Sequence, residues 1–379
     1  MRALVILTMM SVAAFGQRHK APEEVNAEKP EGKLMQQFMQ ESDPAKKITL
    51  YEQFVTDFPK DEHTPWVLEQ VQAYYVKAGQ TDQIIASGDK LLAIDPDDPE
   101  AALQALKAAE TKKDLALVRK YSDITNRNAR KMVASPQPKE ADEVEGWKKE
   151  VEYAKSVAQY SDYALFRGAV ESRDPKVTIE LGEALQQRSP ESEYAGKMRD
   201  PLFLAYRQAG ANDKAIAFAE KTLATDQSNE DMLLVVADSY LNQKKEPEKV
   251  HAYSAKIVEI MAAKPKPEGA SDADWTTRKN TITGLAHYMS GKQYSNEGKL
   301  AQADQELRRA LPLIETTPAL KPETLFMLGL ANYKLAAGKP DRAQEAANYF
   351  RQCAAMPGPM QAQAAKNLKS IQTEYRGIK

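Results

Sequence analysis

Apolar residues recur along this chain at intervals of three and four, in stretches of about a dozen residues, the spacing of one helix face. Residues 198–229 show the pattern most plainly. Leu202, Phe203 and Tyr206 share a helical face, Gly210 ends the segment, and Asn212-Asp213 open another in which Ala215, Ala219 and Leu223 form a stripe. Small side chains let two helix backbones approach, and a glycine takes the left-handed conformation that closes a helix. The stretch therefore predicts two helices folded back on each other. The same pairing is predicted for 33–41 with 44–58, 65–78 with 82–94, 99–110 with 113–133, and 143–166 with 175–188. It continues for 230–242 with 247–263, 272–296 with 300–314, and 322–337 with 341–356, leaving 359–375 single. Alternating β-branched runs do not occur, so the expected fold is all-α: eight helical hairpins and a closing helix.

A longer period lies over the hairpins. Residues 43–98 and 174–229 align without a gap at a shift of 131, with 17 identities over 56 positions. Asp43-Pro44 meets Asp174-Pro175, Tyr75 meets Tyr206, Ala78-Gly79 meets Ala209-Gly210, and Leu92 meets Leu223. Pro136-Gln137-Pro138 with Trp147 is echoed by Pro265-Lys266-Pro267 with Trp275. The block is then three hairpins, with units expected at 43–173, 174–301 and an incomplete 302–379. Self-similarity of this kind marks a repeat architecture, in which neighbours bury each other's apolar faces. Trp147 and Trp275, at equivalent places after the proline loops, are expected to anchor long helices in the core.

The hairpins resemble tetratricopeptide repeats (TPR). Leu328-Gly329 with Tyr333, then Ala346, Phe350 and Pro357, follow that family's order of Leu-Gly, Tyr, Ala, an aromatic and a closing Pro, with a longer turn around Gly338. Leu68, Tyr75, Gly79, Leu92 and Pro96 match in part, as do Tyr206, Gly210, Ala215 and Ala219, and Tyr294, Gly298, Ala303 and Ala310. The resemblance covers nearly all of the chain from residue 33; the hairpins beginning at Pro99 and Glu143 depart from it most. It implies an α-solenoid, a right-handed superhelix capped by a last helix whose Ala362, Ala365, Leu368 and Ile371 form one stripe. It also implies a concave groove lined by the first helix of each hairpin, binding a protein or peptide. The solvent-facing residues implied for that groove are Glu69, Lys77, Lys197, Asp200, Arg207, Asp231, Asp238, Asn242, Lys292, Asn296 and Lys334. They mix both signs, and they lack the regular Lys/Asn set with which some TPR proteins grip a terminal carboxylate. The run YEQFVTDFPKDE at 51–62 is similar to helix ends of bacterial cell-envelope TPR proteins.

The first residues stand apart. Met1-Arg2 precedes an apolar run from Ala3 to Ala14, followed by Phe15-Gly16-Gln17. A single charge, a short apolar run and small residues at Ala14 and Gly16 predict a secretory signal peptide over 1–16, cut after Gly16. The run is too short to span a bilayer, so no stable membrane insertion is expected after cleavage, and no cysteine follows it to carry a lipid. The other reading of the run is a buried first helix. Residues 17–32 are polar and aperiodic, a flexible linker in expectation. The protein is thus expected to be periplasmic or secreted.

Charge narrows the partners. With 52 basic and 54 acidic residues and no long single-sign block, a nucleic-acid partner is not expected. His19, His63, His251 and His287 stand at no two-ligand helical spacing, and Cys353 is the single cysteine. No metal site and no cofactor is therefore expected. A Gly-x-Ser-x-Gly elbow and a phosphate-cradling glycine loop are also missing, so no catalytic residue is assigned. The expected function is a non-enzymatic protein–protein interaction scaffold of the bacterial cell envelope. Two alternatives remain. A helical scaffold within a peptidoglycan-modifying enzyme would need a further compact domain, whereas the hairpins use up this chain. A self-assembling structural protein would pair uncovered apolar faces of two copies, as in a homodimer.

Overall fold

The structure, a computed structural model, describes residues 18–23, 25–315 and 317–378. The expected signal peptide lies outside the described residues. Eighteen α-helices and no strand occur among those described, and they fall into two compact units that divide between Ala209 and Gly210. The first unit holds α1 (Pro30–Gln40), α2 (Pro44–Asp57), α3 (Thr64–Ala78), α4 (Thr81–Ile94) and α5 (Pro99–Lys112). It continues through α6 (Leu115–Val133), α7 (Ala141–Glu171), α8 (Pro175–Arg188), the short α9 (Glu193–Lys197) and α10 (Arg199–Gln208). The second holds α11 (Asn212–Leu223), α12 (Glu230–Gln243), α13 (Pro247–Ala263) and α14 (Asp272–Asn296). Its last four are α15 (Leu300–Ala310), α16 (Lys321–Lys334), α17 (Pro340–Ala354) and α18 (Gln361–Glu374).

Within each unit the packing is serial. From α1 to α8 each helix lies on the next, and α10 returns to α8. In the second unit the same holds from α11 to α18. First helices also touch one another: α3 meets α5 and α5 meets α7, while α12 meets α14 and α14 meets α16. This nearest-neighbour order is that of an all-α solenoid.

The 131-residue repeat is visible in local chemistry. Asp43 and Asp174 each accept a backbone N–H at the start of α2 and α8, with proline behind them. Asp98 and Asn229, also equivalent, cap α5 and α12. A carboxylate at an N-cap satisfies donors that the helix cannot, and proline there loses nothing because its missing N–H would be idle. Tyr75 donates its hydroxyl to Glu52, and its counterpart Tyr206 donates to Glu183 at 2.8 Å. Gly79 and Gly210 close their helices at φ of 68° and 70°.

Several expectations need correction. α1 begins at Pro30, three residues earlier than the periodicity suggested, and before it Pro22 is buried and Val25 packs on Leu34, Phe38 and their neighbours. α7 runs to Glu171, five residues past the expected end, whereas α15 stops at Ala310 instead of 314. α9 was not foreseen. Trp147 and Trp275 are half-buried and anchor no core. The physical reason is shared: α7 buries nothing before Ala154 and α14 nothing before Ile282, so both tryptophans ride on helix starts that overhang their neighbours. Trp147 instead donates its indole N–H to Ser135 at 2.9 Å.

The Leu-Gly position of the TPR-like pattern has a clear packing role. Phe350 on α17 is fully buried, and a Cβ built on Gly329 of α16 would sit 2.8 Å from its ring. Cys353, one turn further along, is buried with its thiol directed at the Pro322 carbonyl, and burial pushes its pKa up, so it is an inert core thiol. Replacing a mid-helix glycine by alanine ordinarily gains about 0.5–1 kcal/mol. At Gly329 the loss from overpacking, about 1–3 kcal/mol, outweighs that gain. Gly329→Ala is expected to lower the urea midpoint with an unchanged slope; an equal or higher midpoint would remove this account of the α16–α17 contact.

Candidate interaction cleft

A cleft of about 900 Å³ opens in the first unit between α3, α5 and the connection from α6 to α7. Its apolar surface comes from Ala73 and Val76 on α3, Ala101 on α5, and Met132 and Ala134 at the end of α6. Two buried amides hold its floor. Gln72 donates to the carbonyls of Ile84 (3.3 Å) and Ala101 (3.1 Å), and Asn128 donates to those of Pro96 (2.9 Å) and Asp98 (3.0 Å). These bonds tie α3 to α4 and α5, and α6 to the turn between α4 and α5, so the floor is polar but satisfied.

The rim is acidic. Glu69, Asp97, Asp98, Glu100 and Glu150 line it, and Lys131 is the one cation that α1 to α7 contribute to the lining. The local sequence Asp95-Pro96-Asp97-Asp98-Pro99-Glu100 explains the concentration. Asp98 is committed as the α5 cap, accepting from the N–H groups of Glu100 and Ala101, both at 2.9 Å. Two prolines stiffen the turn and hold its neighbours at the mouth. Lys131 pairs with Asp97, and Tyr153 and Gln104 donate to Glu100.

The described N-terminal segment crosses this rim. Arg18 grips Asp95 through two guanidinium nitrogens, the second at 3.1 Å. The His19 ring bonds Glu69 at 2.7 Å and lies 3.4 Å from Asp95. Burial works against the charge on Asp95, but the Arg18 bond and charge outweigh it and hold the carboxyl below its usual range. Glu69 and Asp98 go the other way: burial raises both, despite the His19 bond to the one and backbone bonds to the other. Ligand atoms of His19, Glu69 and Asp98 lie within 4.8 Å of one another, the donor set a divalent cation would use. In this structure their bonds are spent on each other and on the α5 cap.

Of the eleven groove residues named from sequence, Glu69 alone lines this cleft. Lys77 is exposed at the end of α3; Asp200 and Arg207 are exposed on α10; Lys197 lies on α9, paired with Glu193 at 2.8 Å. In the second unit Asp231 on α12 meets Arg278 on α14 at 2.7 Å, and Lys292 on α14 meets Glu323 on α16 at 2.9 Å. Those two pairs stitch successive first helices together. Asp238 and Asn242 bond each other at 3.1 Å on α12, and Asn296 and Lys334 are exposed. Sequence reasoning missed Asp95, Asp97, Asp98 and Glu100. The signal was present, four carboxylates in six residues at a hairpin turn, but periodicity treats turns as punctuation.

His251 and His287 are held in structural contacts. His251 stacks on Tyr294 with centroids 3.8 Å apart and bridges Ser290 and Glu297, each at 3.0 Å. His287 bonds Glu306 at 2.7 Å. Burial opposes ionisation of Glu297, but Lys299, Gln293 and His251 outweigh it and hold its pKa at about 2, from an ordinary 4.5. A carboxyl depressed by folding adds stability that is whole above the unfolded value and is lost as pH falls towards the folded one. The stability difference between wild type and Glu297→Gln is therefore expected to shrink as pH falls from about 4.5 to 2. Urea melts across that range test this; a pH-independent difference would deny the Glu297 carboxylate its role.

No family model matches the sequence, and no curated protein does. Among solved structures the chain is similar to the TPR domain of P58(IPK), with 13% identity over 90% of this chain and 96% of that one, at a TM-score of 0.25. It is also similar to yeast Tom70, with 11% identity over 93% of this chain and 97% of that one, at a TM-score of 0.21.

Proposed function

We propose that the chain is a non-enzymatic interaction scaffold of the cell envelope that binds a protein or peptide on the inner faces of its first helices. The observation that carries this reading is the cleft itself: an apolar lining from first helices α3 and α5 and the end of α6, over a polar floor whose hydrogen bonds are satisfied, rimmed by charge. A concave surface of that kind suits a peptide chain, because the floor takes side chains and the rim orients them. The described residues from Pro30 to Glu374 are helices and their connections, which supports a scaffold over a separate catalytic module within that span. The envelope location rests on the apolar run at 3–14 and its small-residue flank.

A photo-crosslinking side chain placed at Gln104, in the cleft, is expected to capture a discrete protein partner in envelope extract. The same group at Lys90, exposed on the far helix α4, is expected to capture none. Equal capture at both positions, or none at Gln104, would overturn the reading. Expressed with its full N-terminus in a bacterial host, the protein should appear in the envelope fraction with an intact mass matching a start at Gln17. A cytosolic, full-mass chain would sink the localisation.

A further inference from the structure

The chemistry of the rim narrows the ligand. Five carboxylates face the cleft, and the one cation supplied by the helices around it, Lys131, is already spent on Asp97. The Glu150 side chain has no hydrogen bond or ion pair among the described residues, and Glu100 has only neutral donors, Tyr153 and Gln104. The rim thus carries more negative charge than its own cations balance, in a concave site where field lines concentrate. What already lies there answers that imbalance. The extended segment Arg18-His19 places a guanidinium in bidentate contact with Asp95 and an imidazole on Glu69. Bidentate arginine is the side chain best matched to a fixed carboxylate. The segment covers only the Asp95 side of the rim. It leaves uncovered Glu150, Glu100 with its Tyr153 and Gln104 bonds, and the apolar patch of Ala73, Val76 and Met132 beside them.

We propose that this cleft binds an extended, arginine- or lysine-bearing peptide segment of another protein, and that Arg18-His19 is a resident competitor for one end of the site. The inference rests on the scaffold reading and adds the charge of its ligand. An incoming arginine would take the place of Arg18 on Asp95 or a second seat near Glu100 and Glu150, with the intervening side chain on the apolar patch.

The test uses the full chain and two fluorescently labelled octapeptides, one alternating arginine with alanine, the other alternating glutamate with alanine, read by anisotropy at low and high salt. The arginine peptide is expected to bind, and to weaken about tenfold or more in Glu100→Gln/Glu150→Gln, since each truncates a charge pair in a partly desolvated site. Arg18→Ala should tighten binding severalfold by freeing Asp95. A control, Glu143→Gln on the exposed start of α7, should change nothing. Thermal melts of all variants report whether the fold is kept. Equal affinity for both peptides, or indifference to the Glu100/Glu150 change in a folded variant, would overturn the proposal. If the Gln104 crosslink still captures a partner through a segment without basic residues, the charge inference falls while the scaffold reading stands. If neither peptide nor partner engages the cleft, both fall.

Discussion

Two helices folded back on each other cover one apolar face each and leave another bare, so a hairpin of this kind is stable only against a neighbour. That constraint decides where the small residues go. Phe350 fits over α16 because Gly329 has no side chain, and Leu307 approaches α14 because Gly291 has none, with a built Cβ falling 2.7 Å from the leucine. It also decides where buried charge is tolerated. Arg188 on α8 reaches Asp162 on α7 at 2.8 Å and Asp123 on α6 at 2.9 Å, while Arg308 and Arg342 converge on Asp304 and Asn332 across α15, α16 and α17. A buried pair such as Arg188–Asp162 adds little net stability against apolar replacement, but removing one partner strands the other at about 3–5 kcal/mol. The two networks join α8 to α7 and α6, and α15 to α16 and α17.

Most helices were legible because this packing demands period-3.6 stripes, and the prolines and aspartates at their starts are themselves structural. Asp43, Asp98 and Asp174 cap helices in the structure where the pattern placed a boundary. The long repeat was legible for the same reason: Tyr75 and Tyr206 recur because each must find its glutamate. The misses have one physical source. Trp147 and Trp275 lie on the overhanging starts of α7 and α14, where helical periodicity persists without a neighbour to bury it. A stripe says which face would be covered; it does not say whether anything is there to cover it. The segment before α1 failed in the opposite sense. It has no period, yet Arg18, His19, Pro22 and Val25 all make contacts, because a charged or apolar side chain can be held singly.

The cleft was the least legible feature. Its acidic rim is assembled from α3, the turn before α5, and the far α7, and only the turn is contiguous in sequence. Choosing solvent-facing residues on first helices caught Glu69 but missed the turn, and two of the others, Asp231 and Lys292, are engaged in ion pairs that hold first helices side by side. A helix face exposed to solvent and a helix face poised for a ligand look alike in sequence. They differ in whether neighbouring helices have already answered the charge.

Hydrogen exchange on Phe350→Ala tests the serial dependence of the hairpins most directly. Emptying that fully buried site should cost about 3–5 kcal/mol. The expected result is protection lost first and most in α16 to α18, less in α14 and α15, and least in α12 and α13, a gradient running along the row. Uniform loss across α12 to α18, as one cooperative globule would give, or loss confined to α17 alone, would contradict a structure held together by neighbour on neighbour.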